Sequence, residues 1–309
     1  MSGSALFLQQ AINGISLGAM YALLALGFTL VYGILELINF AHFNVFMIGS
    51  FVGLWTLRAF GLSGQSTVLT GLPLAATLLA ALAASSLACG VLGLAIERVA
   101  LRPLRDVSGP SAMITTIGVS TILFNTVLLT VGAEAQNYPN PLPPFQLRIG
   151  GATLRLREVL IWAVAGGLML ALHLFVGRTR LGRAMRATAQ DAEAARMMGV
   201  EVDRVIATAF FIGSALAGAG GLIFGLYYNV TSFTIGFGAG LRAFTAAVLG
   251  GIGNLPGAMA GGLAVGLTEA FGAQIVSVAW IDAVIFSLLV LVLVFRPGGL
   301  FGRVAPDRS

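Results

Sequence analysis

Residues Arg178 to Asp203 read RTRLGRAMRATAQDAEAARMMGVEVD, a charged stretch between two long apolar segments. It contains five arginines, whereas the segments on either side, at about 158–177 and 205–228, are nearly free of charge and long enough to cross a bilayer. Charged side chains are costly in the hydrocarbon core, so this stretch must lie in water. The sequence therefore predicts a membrane protein with a charged loop at about 178–204.

The composition of the whole chain supports this class. Of its 309 residues, 58% are hydrophobic and only 9% are charged, and the mean hydropathy is +0.95, far from the balance of a soluble domain. The 41 glycines suit helices that pack closely through small residues. We therefore expect an all-α, polytopic transmembrane helix bundle in which residues 1–309 form a single domain.

The basic residues exclude two classes of function, because all 17 of them are arginine. Without lysine the chain cannot carry the GxxxxGK[ST] phosphate loop, so no ATP site and no cofactor are expected in this chain. The arginines fall in short segments between apolar runs, which argues against a nucleic-acid partner. The single Cys89 and the two histidines, His42 and His173, have no metal-ligand company, so no metal site is expected.

Long apolar stretches predict membrane spans near 6–32, 38–57, 69–96, 111–132, 158–177, 205–228, 243–272 and 276–295. The seventh contains GGIGNLPG, where glycines and a proline interrupt the helix and could divide it into two passes. The expected helix-break residues are Gly250, Gly251, Gly253, Pro256 and Gly257. A re-entrant element within 229–242 is an alternative. We expect about eight to ten spans, with broken or re-entrant segments.

The arginines also predict the orientation, because cytoplasmic loops carry an excess of basic residues. Arg98, Arg102 and Arg105 follow the third span and six arginines from Arg178 to Arg204 follow the fifth, which places the N-terminus in the periplasm. A divided seventh span would then place Arg296, Arg303 and Arg308 in the cytoplasm. The proline-rich loop at about 133–157 is expected outside as a solvated connector with a short hairpin, and a docking surface for an external partner is the alternative.

The charged stretch contains a predicted helix from Thr188 to Gly199, with Gly199 placed to end it. In such a helix Ala189, Ala192, Ala195 and Met198 share one side, which suits a knob that docks into a groove on another protein. A solvated connector is the alternative. Residues Glu193 to Gly199, EAARMMG, match the EAAxxxG element through which permease subunits of bacterial ABC importers contact their ATPase subunits.

Three other stretches resemble the branched-chain amino acid permeases of the LivH type. They are Asn13 to Phe51, NGISLGAMYALLALGFTLVYGILELINFAHFNVFMIGSF; Leu241 to Ala270, LRAFTAAVLGGIGNLPGAMAGGLAVGLTEA; and Phe295 to Gly302, FRPGGLFG. They occur in the family's order and cover much of the chain. The resemblance implies a multi-pass permease subunit of an ABC importer in the bacterial inner membrane, a transport component and not an enzyme.

The resemblance also implies partners besides the lipid bilayer. A second related permease would pair with this chain, two ATPase subunits would hold ATP and magnesium below it, and a periplasmic substrate-binding protein would dock above. The ATPase-coupling loop would comprise Gln190, Asp191, Glu193, Ala194, Ala195, Arg196, Met198 and Gly199. ATP binding would then switch a central path between outward and inward access.

Polar residues at membrane depth are the candidates for this path, because they are costly unless they face protein, water or substrate. The candidates are Glu36, Asn39, His42, Asn44, Asn125 and Asn254. Helix capping and hydrogen bonding between helices are the alternative roles of the group around His42. Glu269, Gln274 and Asp282 surround the last hairpin, and the two carboxylates are expected in solvent near membrane boundaries.

The competing classes differ in where their polar groups should lie. An ion-coupled secondary transporter needs charges deep in the bundle, and a membrane enzyme needs convergent catalytic groups. The sequence favours neither of these two classes. The composition alone does not exclude a channel. Leucine, isoleucine and valine are the leading substrates that the resemblance implies. Urea, short amides or other amino acids are the alternatives within similar permeases.

Overall fold

The computed structural model describes residues 3–62, 68–104 and 109–302. In these ranges the helices are α1 Gly3–Leu35, α2 Ala41–Ala59, α3 Gly71–Ile96, α4 Gly109–Val131, α5 Leu156–Arg178, α6 Arg180–Gln190, α7 Ala192–Met197, α8 Val202–Tyr228, α9 Ile235–Gly250, α10 Leu255–Ile275 and α11 Ile281–Phe295. The strands are β1 Gln136–Asn137, β2 Gln146–Ile149, β3 Ala152–Arg155 and β4 Val230–Thr231. The expected all-α bundle is confirmed.

Six stretches of the described residues are helical, long and apolar enough to cross a membrane. They are Gly3–Leu35, Gly71–Leu104, Pro110–Val131, Leu156–Arg178, Val202–Tyr228 and Val278–Phe295. Three shorter or less apolar helices, α2, α9 and α10, pack among them. The six stretches and these three helices together give nine helices of 15 residues or more in the described ranges.

Two helices form the centre of the bundle. Every residue of α1 from Ser16 to Val31 is buried, and α8 is buried along most of its length. Small residues allow the helices to pack closely. α1 packs antiparallel to α10, with Gly14 against Leu267 and Gly18 against Leu263. At the contact between α2 and α8, a side chain on Gly49 would collide with the backbone of Gly218. Backbones that approach this closely fix the packing of the central helices.

The two ends of the bundle differ in charge. One end, which we call the arginine-rich end, contains the turn after α3, the α6–α7 segment, the α9–α10 junction and the residues after α11; its described arginines are Arg98, Arg102, Arg178, Arg180, Arg183, Arg186, Arg196, Arg204 and Arg296. Arg105, Arg303 and Arg308 lie outside the described residues. The opposite end, which we call the hairpin end, contains the antiparallel β2–β3 hairpin and the β1–β4 pair.

The GGIGNLPG segment divides the predicted 243–272 span into α9 and α10, which run antiparallel. Gly251 has φ +102 and Gly253 has φ +87, a backbone conformation that ends a helix and favours glycine. Pro256 lies in the first turn of α10, where its missing N–H costs no hydrogen bond. The chain after α11 binds back onto this junction, since the amide of Leu300 donates to the carbonyl of Leu249 at 2.8 Å.

The prediction of one helix from Thr188 to Gly199 is wrong. α6 ends at Gln190 and α7 begins at Ala192. Between them Asp191 has an extended backbone, with φ −158 and ψ 106, because its carboxylate caps α7 instead of continuing α6.

Candidate functional site

The α6–α7 segment presents a short, well-defined helix at the arginine-rich end. Asp191 Oδ1 accepts hydrogen bonds of 2.9 Å from the amides of both Glu193 and Ala194, which satisfies two unpaired donors of the first turn of α7. At the other end Gly199 has φ +83, and the amide of Val200 donates to the carbonyl of Ala195 at 3.0 Å. Both termini of α7 are therefore fixed by local bonds.

The side chains of α7 divide into one anchor and an exposed surface. Ala195 is buried, whereas Met197 and Met198 are each 84% exposed. The exposed residues, which we call the coupling surface, are Gln190, Asp191, Glu193, Ala194, Arg196, Met197, Met198 and Gly199. Two neighbouring methionines exposed to this degree are unusual for a solvated loop, and flexible thioethers suit binding surfaces.

The expected common face of Ala189, Ala192, Ala195 and Met198 is wrong. The break at Asp191 separates Ala189 from the others, and Ala195 points into the protein while Ala192 and Met198 point out. Sequence reasoning also did not single out Met197, which is as exposed as Met198. The two adjacent methionines within the EAAxxxG match are the sequence signal that would have identified Met197.

Four of the six path candidates lie at helix ends or inside the packed bundle. Asn39 Oδ1 accepts from the amide of Ala41 at 3.1 Å at the start of α2, and buried His42 Nε2 lies 3.3 Å from the carbonyl oxygen of Leu24. Asn254 Oδ1 accepts from Gly257 N at 3.1 Å and caps α10. Glu36 is exposed between α1 and α2, in a left-handed conformation with φ 52.

The other two candidates, Asn44 and Asn125, line one groove. This α2–α4 groove has a volume of about 490 Å³, and its lining residues are Phe40, Phe43, Asn44, Ile117, Ser120, Thr121, Phe124, Asn125 and Phe237. Asn44 Nδ2 donates to the carbonyl and the hydroxyl of Ser120, at 2.8 and 2.7 Å. Asn125 Nδ2 donates to the carbonyl of Thr121 at 2.8 Å. The structure thus brings two of the predicted residues together on an aromatic surface.

A charged cluster that the sequence did not indicate lies toward the hairpin end. Arg242 on α9 donates to Glu269 Oε1 at 2.6 Å and to Asp282 Oδ1 at 2.8 Å, and the hydroxyl of Tyr21 donates to Glu269 Oε2 at 2.7 Å. The expectation that Glu269 lies in solvent is wrong, because its side chain is only 12% exposed. Asp282 agrees with that expectation, with a side chain 62% exposed. Arg242 and Glu269 are the only charged residues between 205 and 281. Their isolation in this apolar stretch is the sequence signal that could have indicated that they pair.

A cavity of about 450 Å³ adjoins this cluster and is lined by Gln274, the last of the polar residues around the final hairpin. A second cavity, of about 570 Å³, lies beside the β2–β3 hairpin and is lined by Arg148, Arg155 and Arg157. The guanidinium of Arg157 stacks 5.1 Å from the centre of the Tyr227 ring and donates to the Tyr227 carbonyl at 2.9 Å. The hairpin end therefore presents positive charge around a cavity.

Two further polar side chains, Tyr138 and Cys89, are buried in the bundle. Tyr138, in the loop before β2, packs against Gly53 and Gly225, and burial raises the pKa of its phenol, so it remains neutral. Cys89 is buried and its thiol donates to the carbonyl of Val45 at 3.3 Å. The described residues contain no group of three or more histidine, cysteine, aspartate or glutamate side chains that could hold a metal ion.

Several known proteins are similar in sequence to this chain. Residues 10–293 match the family described as branched-chain amino acid transport system, permease component. The chain is 43% identical to the high-affinity branched-chain amino acid transport system permease protein BraD of Pseudomonas aeruginosa and 44% identical to LivH of Escherichia coli K12, over 96% of both chains in each case. It is 26% identical to a probable branched-chain amino acid transport permease of Methanocaldococcus jannaschii, over 91% of this chain and 88% of that one. No solved structure matches the fold closely enough to add to this. The chain therefore belongs to the family of permease components of branched-chain amino acid transport systems.

Proposed function

We propose that this chain is the membrane-spanning permease subunit of an ATP-driven importer that carries branched-chain amino acids across the bacterial inner membrane. The observation that carries the proposal is the family match across 10–293 together with the exposed coupling surface on α7. The permease component itself is not an enzyme, and ATP with magnesium is bound by partner ATPase subunits.

The arginine-rich end faces the cytoplasm in this proposal. The excess of arginines there supports this orientation under the positive-inside rule, against Arg58, Arg148, Arg155 and Arg157 at the hairpin end. An odd number of traversing helices then places the N-terminus in the periplasm and the C-terminus in the cytoplasm.

The coupling surface binds an ATPase subunit. α7 is short, capped at both ends and anchored through Ala195, so a push on Met197 or Met198 moves the helix as a unit. α6 passes this movement into the bundle, because its Met185 is buried in the main core while Arg183 faces out. In the complete importer two ATPase subunits serve two permeases.

The translocation path runs along the α2–α4 groove. Few residues of α4 are buried, and its outer face carries Thr121, Asn125 and Thr126. Their side chains bond to their own helix, but hydrocarbon is a poor solvent for such a polar row. A second, related permease that packs against α4 would enclose the groove between the two subunits.

The hairpin end receives the periplasmic substrate-binding protein. Arg148 pairs across the hairpin with Thr153, and Arg155 lies two residues farther along β3, so the two arginines share one face. Such a face complements an acidic surface, and charged groups of this kind steer encounter and fix register.

An ion-coupled secondary transporter is the second candidate function, and the partly buried Arg242–Glu269 pair is the observation that favours it. Uptake that collapses with an ionophore and is independent of ATPase subunits would support it. Permeation of urea or a short amide is the alternative substrate class within the same family. Competition by urea or a short amide for the uptake of labelled leucine distinguishes these two substrate classes.

The experiment is an affinity purification of the tagged chain from its native membranes, with two variants that act at opposite ends. Glu193→Arg on the coupling surface should lose the ATPase subunits and keep binding-protein docking. Arg148→Glu should keep the ATPase subunits and lose docking of the binding protein. Wild-type chain that co-purifies with neither a second permease nor an ATPase would contradict the proposal.

A further inference from the structure

The α2–α4 groove contains a buried polar atom without a hydrogen-bond partner. Asn44 Oδ1 is inaccessible to solvent and accepts no bond, although the amide nitrogen of the same side chain donates twice to Ser120. An amide oxygen in this position costs free energy that the protein recovers only when a donor arrives. Asn44 as a whole is more than nine-tenths buried and lines the groove.

The first turn of α9 covers this oxygen. A Cβ atom added to Gly236 would lie 2.7 Å from Asn44 Oδ1 and 2.7 Å from the carbonyl oxygen of Phe43. The next residue, Phe237, is 64% exposed and forms part of the groove wall. A small displacement of this turn would therefore open Asn44 Oδ1 to the groove, and glycine is the residue that permits the present close approach.

The walls of the groove define the ligand chemistry. Four phenylalanines and an isoleucine form the apolar surface, and none of the lining residues is charged. Aromatic faces accommodate aliphatic groups and attract an ammonium ion. The polar lining groups are the amides of Asn44 and Asn125 and the hydroxyls of Ser120 and Thr121. Asn125 Nδ2 uses one of its two N–H groups on Thr121, so the other can donate to a carboxylate.

We propose that this groove is a binding station for an aliphatic α-amino acid, and that Asn44 Oδ1 accepts a hydrogen bond from its ammonium group once the first turn of α9 moves aside. The inference rests on the proposed function, which places the path here. The apolar side chain lies against Phe40, Phe43 and Phe124, and the carboxylate lies toward Asn125. The groove then selects for a zwitterion with an apolar side chain after the binding protein has released it.

The test uses two glycines of the same helix. Gly236→Ala places a methyl group against Asn44 Oδ1, whereas Gly238→Ala meets no atom within 4 Å. Both variants are reconstituted with partner subunits in proteoliposomes. Gly236→Ala should lower leucine uptake about tenfold or more, the size expected when about one hydrogen bond to a charged group is lost, with binding-protein-stimulated ATP hydrolysis retained. Gly238→Ala should match wild type. Equal uptake by the two variants would overturn the proposal.

A protection experiment tests the ligand directly and does not depend on Gly236. In a Cys89→Ser, Ile117→Cys background, which leaves Asn44 and Asn125 in place, leucine should slow modification of the new thiol in the groove by a soluble maleimide. 4-Methylpentanoate, which keeps the side chain and carboxylate but lacks the ammonium, should not. Asn44→Leu in the same background should abolish protection by leucine. Equal protection by both compounds, or none by leucine, would overturn the proposal while leaving the subunit's co-purification with its ATPase, and hence the proposed function, intact.

Discussion

At the scale of single residues, Asn254 shows how one side chain can serve two structures. Its Oδ1 caps α10 at Gly257, and its Nδ2 donates to the carbonyl of Phe301 at 2.7 Å. Asn254→Asp keeps the cap and loses the second bond, whereas Asn254→Ala loses both. We expect Asn254→Ala to cost about 2 kcal/mol and Asn254→Asp about 1 kcal/mol. Thermal unfolding in detergent measures the difference, and equal midpoints for the two variants would contradict a stabilising bond to the C-terminal segment.

Gly49 offers a second prediction at this scale. A methyl group there would collide with the backbone of Gly218, which no rotamer change can relieve. We expect Gly49→Ala to destabilise the protein by about 1–3 kcal/mol. Gly118→Ala is the matched control, since it lies in a helix with nothing within 4 Å, and should stabilise by about 0.5–1 kcal/mol through helix propensity. Thermal unfolding of both variants is the measurement.

At the scale of elements, the Arg242 cluster joins α1, α9, α10 and α11. Arg242→Met leaves the carboxylate of Glu269 buried without its cation, and we expect a loss of about 3–5 kcal/mol. The double variant Arg242→Met, Glu269→Leu should recover much of this loss, because no unpaired charge remains. Folded yield and thermal unfolding are the readouts.

Arg204→Met is the control for this prediction. Arg204 pairs with Glu201 at 2.7 Å, but both side chains are more than half exposed. Loss of that pair should change stability by about 0–1 kcal/mol. A similar cost for Arg242→Met and Arg204→Met would show that the Arg242 cluster does not hold the four helices together.

The elements also show where sequence reasoning ends. The α9–α10 break could be predicted, because Gly250 to Pro256 contains the residues that end and begin helices. The boundary at Asp191 was missed, because helix propensity continues through it and only the capping bonds reveal the break. The pairing of Arg242 with Glu269 depends on the antiparallel packing of α9 on α10, which single-sequence patterns do not contain. Likewise, only the structure distinguishes Asn44, which lines the groove, from Asn39, whose side chain accepts a hydrogen bond from the first amide of α2.

At the scale of the whole molecule, the orientation can be tested with single cysteines, since Cys89 is the only native one. In a Cys89→Ser background we expect Arg148→Cys to react with an impermeant maleimide in intact spheroplasts. Met197→Cys should react only after the membrane is opened. Both positions are exposed, so accessibility depends on the side of the membrane. Labelling of Met197→Cys from outside would reverse the proposed orientation.

The contact between the C-terminal segment and the α9–α10 junction has a consequence for biosynthesis. The carbonyl oxygens of Leu249 and Gly250 receive their donors from the amides of Leu300 and Phe301, which lie 51 positions later in the chain. Until Leu300 and Phe301 have been synthesised, these two acceptors must bond to water or to the insertion machinery. The junction is therefore completed only after α11 and the segment that follows it have been made, so a nascent chain stopped after α10 would leave both carbonyl groups without these donors, a defect that membrane quality control can recognise.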